Sequence, residues 1–140
     1  MRALVEAARV ARLATTDADG RPNLVPICLA VEDDELYSAV DEKPKQTKRL
    51  RRLANIRARP DVTVLVDHYE EDWSQLWWIR LRGEARVVEE GADRERALNL
   101  LRAKYEQYRR EPPTGPVIAL HVEEWRGWSA ATRTDQGDHA

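Results

Sequence analysis

The chain has 140 residues, 42% of them hydrophobic and 34% charged, with a formal net charge of -2. That is the length of one domain with material for a single core, and it excludes low-complexity and collagen-like classes. The lone cysteine, Cys28, excludes an internal disulfide and a multi-cysteine metal site, and His68, His121 and His139 show no ligand spacing.

In chain order, residues 2–9 predict a short helix with Leu4, Val5 and Ala8 on one side. Residues 10–16 read as a strand, and Asp17-Ala18-Asp19-Gly20-Arg21 as a hairpin turn, because Asp-Gly tolerates positive φ. Residues 22–31 form one strand that is apolar at odd and even positions alike, as if both faces were covered. An acidic turn over 32–35 leads to a third strand over 36–40. A helix over 46–57 groups Leu50, Leu53, Ala54 and Ile56, and Pro60 stops it. Strands follow over 61–67 and 76–88, joined by the acidic, aromatic loop His68–Ser74. The period of the second strand separates Trp77, Ile79 and Leu81 from Trp78, Arg80 and Arg82. One amphipathic helix over 92–108, a proline-rich loop and a last strand over 117–122, extended by 125–130, complete the domain. Residues 132–140 read as a disordered tail, so a single domain over 1–131 is expected.

Short turns between consecutive strands favour an antiparallel meander closed into a small barrel, a mainly β (α+β) fold. Strands apolar on both faces need a second cover, and another copy of the chain is the economical one, so a homodimer is expected. No apolar run reaches the ~18 residues that span a bilayer, and residues 1–12 lack a signal peptide's uninterrupted apolar region. A cytoplasmic protein without a membrane partner is expected.

Two segments carry the chemistry. Between Lys43 and Arg59 lie Lys43, Lys45, Lys48, Arg49, Arg51, Arg52, Arg57 and Arg59, with no acid. Lys48, Arg51, Arg52 and Arg59 sit opposite the leucine stripe, as on a solvated helix face. Lys43, Lys45 and Lys48, however, surround the helix start, where cations oppose the macrodipole unless an anion docks on the exposed N–H groups, with Thr47 adding a hydroxyl. The six glycines form neither a dinucleotide fingerprint nor a P-loop, and no nucleic-acid motif is present. The second segment holds Trp73, Trp77 and Trp78, which read either as core and interface or, with Ser74 and Arg80, as the edge of a planar aromatic cofactor. No Ser/His/Asp set, carboxylate pair or Cys/His pair is evident. His68 and Tyr69 are the available proton donors, and a cofactor would carry any redox chemistry.

Ala11-Arg12-Leu13-Ala14-Thr15-Thr16, then Asp19-Gly20-Arg21-Pro22 and Val25-Pro26-Ile27, resemble the opening of the pyridoxamine-phosphate-oxidase-like, flavin-binding split-barrel superfamily. The likeness continues through residues 36–45, residues 50–60 with Asn55, and residues 62–67. Residues 67–78 look most like its coenzyme F420-dependent oxidoreductases. The resemblance implies a six-stranded antiparallel split barrel that dimerises, with the cofactor in a groove between subunits. It implies that Lys45, Thr47 and Lys48 hold the cofactor's phosphate, with Arg51 and Arg52 as rivals. Val25, Pro26, Ile27 and Cys28 would contact the ring, and Trp73, Ser74, Trp78 and Arg80 would come from the second subunit. The chain departs from true pyridoxamine-phosphate oxidases at its end, Trp125-Arg126-Gly127-Trp128-Ser129-Ala130, which lacks their Arg/His substrate element, so vitamin B6 oxidation is not expected. The expected activity is hydride transfer between coenzyme F420 and a small organic acceptor, with FMN as the alternative cofactor. A non-catalytic flavin carrier and, more remotely, a nucleic-acid-binding module are the other classes.

Overall fold

The computed structural model describes residues 1–40 and 46–131, with side chains of the second stretch from residue 51 onward. The elements are α1 (Arg2–Ala7), β1 (Ala11–Thr16), β2 (Pro22–Ile27), β3 (Ala30–Glu32), β4 (Glu35–Ala39), α2 (Gln46–Ala58), β5 (Asp61–His68), β6 (Trp77–Val88), α3 (Ala92–Lys104), α4 (Glu106–Arg110) and β7 (Val117–Ser129). The strands form one antiparallel sheet in the order β2-β1-β5-β6-β7-β4-β3. Turn chemistry fixes two of its hairpins. Gly20 takes φ 88° between β1 and β2, where the Asp17 carboxylate accepts from the N–H groups of Asp19 and Arg21, and Asp33 takes φ 55° between β3 and β4.

β2 and β3 lie at opposite edges of this sheet yet are separated only by Cys28 and Leu29. Three Cα steps reach at most about 11 Å, so the sheet must curl until its edges meet at that corner. It therefore has seven strands, not the six expected, because the apolar run 22–31 is two strands. The switch is stabilised by Tyr105: its hydroxyl lies 3.0 Å from the Leu29 N–H, 3.2 Å from the Leu29 carbonyl and 3.0 Å from the Arg9 carbonyl. Lys104 Nζ donates to the Leu29 carbonyl at 2.8 Å. Backbone groups that leave the ladder of β2 are thus satisfied by one side of a helix end. The same contact breaks the helix predicted over 92–108. Tyr105 leaves helical geometry, at φ -113° and ψ 119°, and α3 and α4 are separate.

The inward positions alternate as the pleat requires: Ala11 and Leu13 on β1, Val62, Val64 and Val66 on β5, Ile79 and Leu81 on β6, Leu120 and Val122 on β7. α2 closes this core with Leu53 and Ile56, and its buried Asn55 donates to the Thr15 hydroxyl at 3.2 Å. The opposite face of β2, expected to be covered, is open in the single chain. Leu24 is 68% exposed and Pro26 is exposed as well. The predicted extension of the last strand is continuous, with a bulge where Arg82 faces Glu124 and Gly83 faces Val122. Among the described residues no helix is long and apolar enough to cross a membrane. The tail over 132–140 lies outside the described residues.

Candidate functional site

The larger cavity, of about 960 Å³, opens where β2 ends. Pro26, Ile27 and Cys28 line it together with Ala39 and Val40 at the end of β4, Arg52 of α2, and a wall from Tyr105 to Thr114. Its position follows from the strand switch, since β2 and β4 end at the same corner and α2 enters beside it. Cys28 is a free, half-buried thiol at this opening. Val25 instead packs against the core. Of the two rival arginines, Arg52 reaches the cavity, whereas Arg51 is exposed on α2 and is not among the lining residues. Lys45 lies outside the described residues, as do the side chains of Thr47 and Lys48.

A second concavity, of about 410 Å³, sits on the outer face of β5, β6 and β7 and shares no lining residue with the first. Leu65, Asp67, Trp78, Arg80 and Trp128 define it, with His68 and Tyr69 at its rim. Register explains the grouping, because Trp78 pairs with Asp67 on one side and Trp128 on the other, and Arg80 pairs with Leu65. The Arg80 guanidinium lies 5.5 Å from the Trp78 ring centroid. Its buried Nε has no hydrogen-bond partner among the described residues. The His68 ring stacks on Trp77 at 6.1 Å, and its Nε2 is 2.6 Å from Glu70. Trp73 and Ser74 occupy a 3-10 turn that does not line the concavity. Trp73 is 66% exposed and donates to the Tyr69 hydroxyl at 3.3 Å, while Ser74 donates to the Asp72 carboxylate at 2.7 Å.

Thus one chain brings Pro26, Ile27, Cys28 and Arg52 together, and separately Trp78 and Arg80, but it does not join the two groups. Sequence reasoning missed the wall formed by Tyr105, Gln107, Tyr108, Arg110 and the loop to Thr114. The run Glu111-Pro112-Pro113-Thr114-Gly115-Pro116 was the available signal, since a proline-stiffened loop is a scaffold for a binding residue. Leu65 and Trp128 were likewise invisible as site residues, because cross-strand register brings them to Trp78.

Beside the larger cavity, Lys104 is pushed down to about 8, chiefly by burial and then by the nearby Arg9 guanidinium. Burial likewise raises the Tyr105 hydroxyl above its ordinary value. Between about 8 and the ordinary lysine value of 10.5, the folded chain holds fewer protons at Lys104 than the unfolded one. Stability contributed by this group is therefore present above 10.5 and is lost as pH falls through about 8. Urea midpoints should rise with pH across that window relative to Lys104→Met. A difference between the two proteins that stays flat with pH would contradict this assignment.

Residues 1–129 match the family described as Pyridoxamine 5'-phosphate oxidase. The chain belongs to this family. Its fold is the curled antiparallel sheet described above, and every residue lining the two concavities falls within the matched pyridoxamine 5'-phosphate oxidase region. Solved structures share the fold. A conserved hypothetical protein from Mycobacterium tuberculosis is 20% identical with a TM-score of 0.73, over 99% of this chain and 88% of that one. A heme binding protein from Mycobacterium smegmatis is 17% identical with a TM-score of 0.74, over 96% of this chain and 54% of that one. An FAD binding protein from Mycobacterium smegmatis is 19% identical with a TM-score of 0.58, over 90% of this chain and 88% of that one. No curated protein sequence matches this one significantly.

Proposed function

We propose that this protein is an oxidoreductase that uses a flavin-type ring, bound in the larger cavity, to exchange hydride with a small organic molecule. The observation that carries the reading is the convergence of Pro26, Ile27, Cys28 and the Arg52 guanidinium on one opening of about 960 Å³. A flat, largely apolar ring with a phosphate tail needs an apolar floor and a cationic donor, and this opening offers both within the size range of cofactor sites. FMN is the cofactor that the family match and the FAD-binding relative support best. Coenzyme F420 is the second reading, favoured by the resemblance of residues 67–78 to the deazaflavin-dependent enzymes.

When bound, either cofactor supplies hydride transfer at its central ring. This chain's residues bind, orient and desolvate. Arg52 would hold the phosphate, joined by Lys45, Thr47 and Lys48. Pro26, Ile27 and Cys28 set the plane of the ring. Trp73, Ser74, Trp78 and Arg80 of a second copy cover it and exclude water, the copies meeting through the open outer face around Leu24. Arg80 is suited to that role, because its Nε is desolvated and has no partner among the described residues.

Fluorescence titration with FMN and with oxidised and reduced F420 tests the reading. Removing a charge-assisted phosphate contact costs about 1.5–3 kcal/mol, so Arg52→Ala should weaken cofactor binding between roughly ten- and 150-fold. Lys45→Ala and Lys48→Ala should weaken it in the same direction. Arg59→Ala should leave it unchanged, because that guanidinium is engaged with the Ala18 carbonyl at 3.1 Å, beyond the cavity. Equal losses in all four variants would sink the phosphate assignment. Tight binding without turnover of any acceptor would make the protein a carrier.

A further inference from the structure

The ring-facing floor accounts for only part of the larger cavity. The remaining wall, from α4 and the loop after it, presents Gln107, Tyr108, Arg110 and Thr114. Two anchors hold this wall. Tyr105, at its start, is tied by its hydroxyl to the strand switch at Leu29. Arg94 of α3, with a side chain only 15% exposed, donates to the carbonyls of Pro113 at 3.3 Å and Gly115 at 2.9 Å, on either side of Thr114. Pro112 and Pro113 remove further backbone freedom. A loop fixed in this way can hold side chains at a set distance from a floor.

The wall's chemistry is that of an anion site with an aromatic side. Gln107 offers a neutral donor and Arg110 a guanidinium, against a single lining carboxylate, Glu111. Arg110 is held by Glu106 at 3.1 Å, an i,i+4 pair with both side chains largely exposed, 75% and 64%. Pairs of that kind are among the weakest, so a ligand carboxylate that binds the fork bidentately can replace Glu106. Tyr108 meets Tyr105 edge-on, with centroids 5.6 Å apart, giving the same cavity an aromatic side.

We propose that this wall is the acceptor site and that it takes a planar, conjugated organic acid, with its carboxylate on Arg110 and its flat body along Tyr108. The assignment of that ligand as acceptor rests on the flavin-type reading above, and the carboxylate site itself does not. The same guanidinium could instead serve an anionic tail of the cofactor, so the test separates the two sources.

Calorimetry on the full chain, with trans-cinnamate and trans-cinnamamide as probes and with and without saturating FMN or F420, decides it. Cinnamate should bind at least tenfold more tightly than its amide. Arg110→Ala should abolish that preference and Arg110→Lys retain part of it, while cofactor affinity stays within twofold of wild type in both. Equal affinity for acid and amide, a preference that survives Arg110→Ala, or an equal loss of cofactor affinity would each overturn the proposal. Failure of both cofactors to bind, with the Arg110-dependent preference intact, would remove the flavin reading and leave the carboxylate site standing.

Discussion

Gly83→Ala should unfold the protein or destabilise it by about 4–5 kcal/mol, a large part of the 5–15 kcal/mol that holds a domain of this size. A Cβ at residue 83 would lie 1.9 Å from the His121 carbonyl oxygen, 2.9 Å from its carbon and 3.1 Å from the Glu123 nitrogen. All three are backbone atoms, so no rotamer change relieves the clash. The two longest strands must separate instead. Glycine is needed here because β7 carries one extra residue, Glu123, between the partners of Arg82 and Gly83, and the bulge draws the two backbones together. The consequence reaches function, since the outer ends of the same strands carry Trp78, Arg80 and Trp128. Urea unfolding followed by tryptophan fluorescence would report both losses. Gly127→Ala is the control. Its nearest neighbour would be the Met1 Cε at 3.3 Å, the flexible end of a side chain, so a change of less than about 1 kcal/mol is expected. Gly83→Ala folding within that same margin would disprove the backbone contact.

Strand alternation makes most of the sheet legible in the sequence. On β6, Ile79 and Leu81 are buried while Trp78 and Arg80 face outward, as period two requires. The double-faced run over 22–31 was equally visible but open to misreading. Residues that are apolar on both faces signal a covered strand or, as here, a chain that passes from one sheet edge to the other. Only the long-range contact of Tyr105 with Leu29, 76 residues apart, distinguishes these cases, and no local pattern encodes it. The same hydroxyl explains why α3 stops at Lys104, although apolar spacing continues to Tyr108.

The candidate site divides along similar lines. Arg52 was one of eight cations between Lys43 and Arg59, and its selection over Arg51 depends on the angle at which α2 meets the corner of β2 and β4. Trp78 and Arg80 were legible as outward-facing aromatic and cation. Their neighbours Leu65 and Trp128 arrive through pairing registers that a single strand's sequence does not specify. Separation of the two groups within one chain is the observation on which the proposed second copy rests.

Leu24→Asp should leave the single chain folded and dissociate the proposed pair of protomers at least a hundredfold more readily, a change of about 2.7 kcal/mol or more. Leu24 is 68% exposed in one chain, so the carboxylate costs nothing by burial there. It faces outward opposite Ala14, on the same surface as Pro26, Leu65, Trp78 and Trp128. An interface through that surface would have to desolvate an unpaired charge, which is among the most expensive single changes available. Sedimentation velocity at micromolar concentration reads the dissociation, and FMN or F420 titration of the same sample reads its effect on the site. Affinity should fall with the loss of the dimer, because Trp78 and Arg80 would no longer be supplied to the opening lined by Pro26, Cys28 and Arg52. A dimer that survives Leu24→Asp would place the interface elsewhere. A monomer that binds the cofactor as tightly as wild type would mean that the aromatic concavity serves a different ligand from the one held by Arg52.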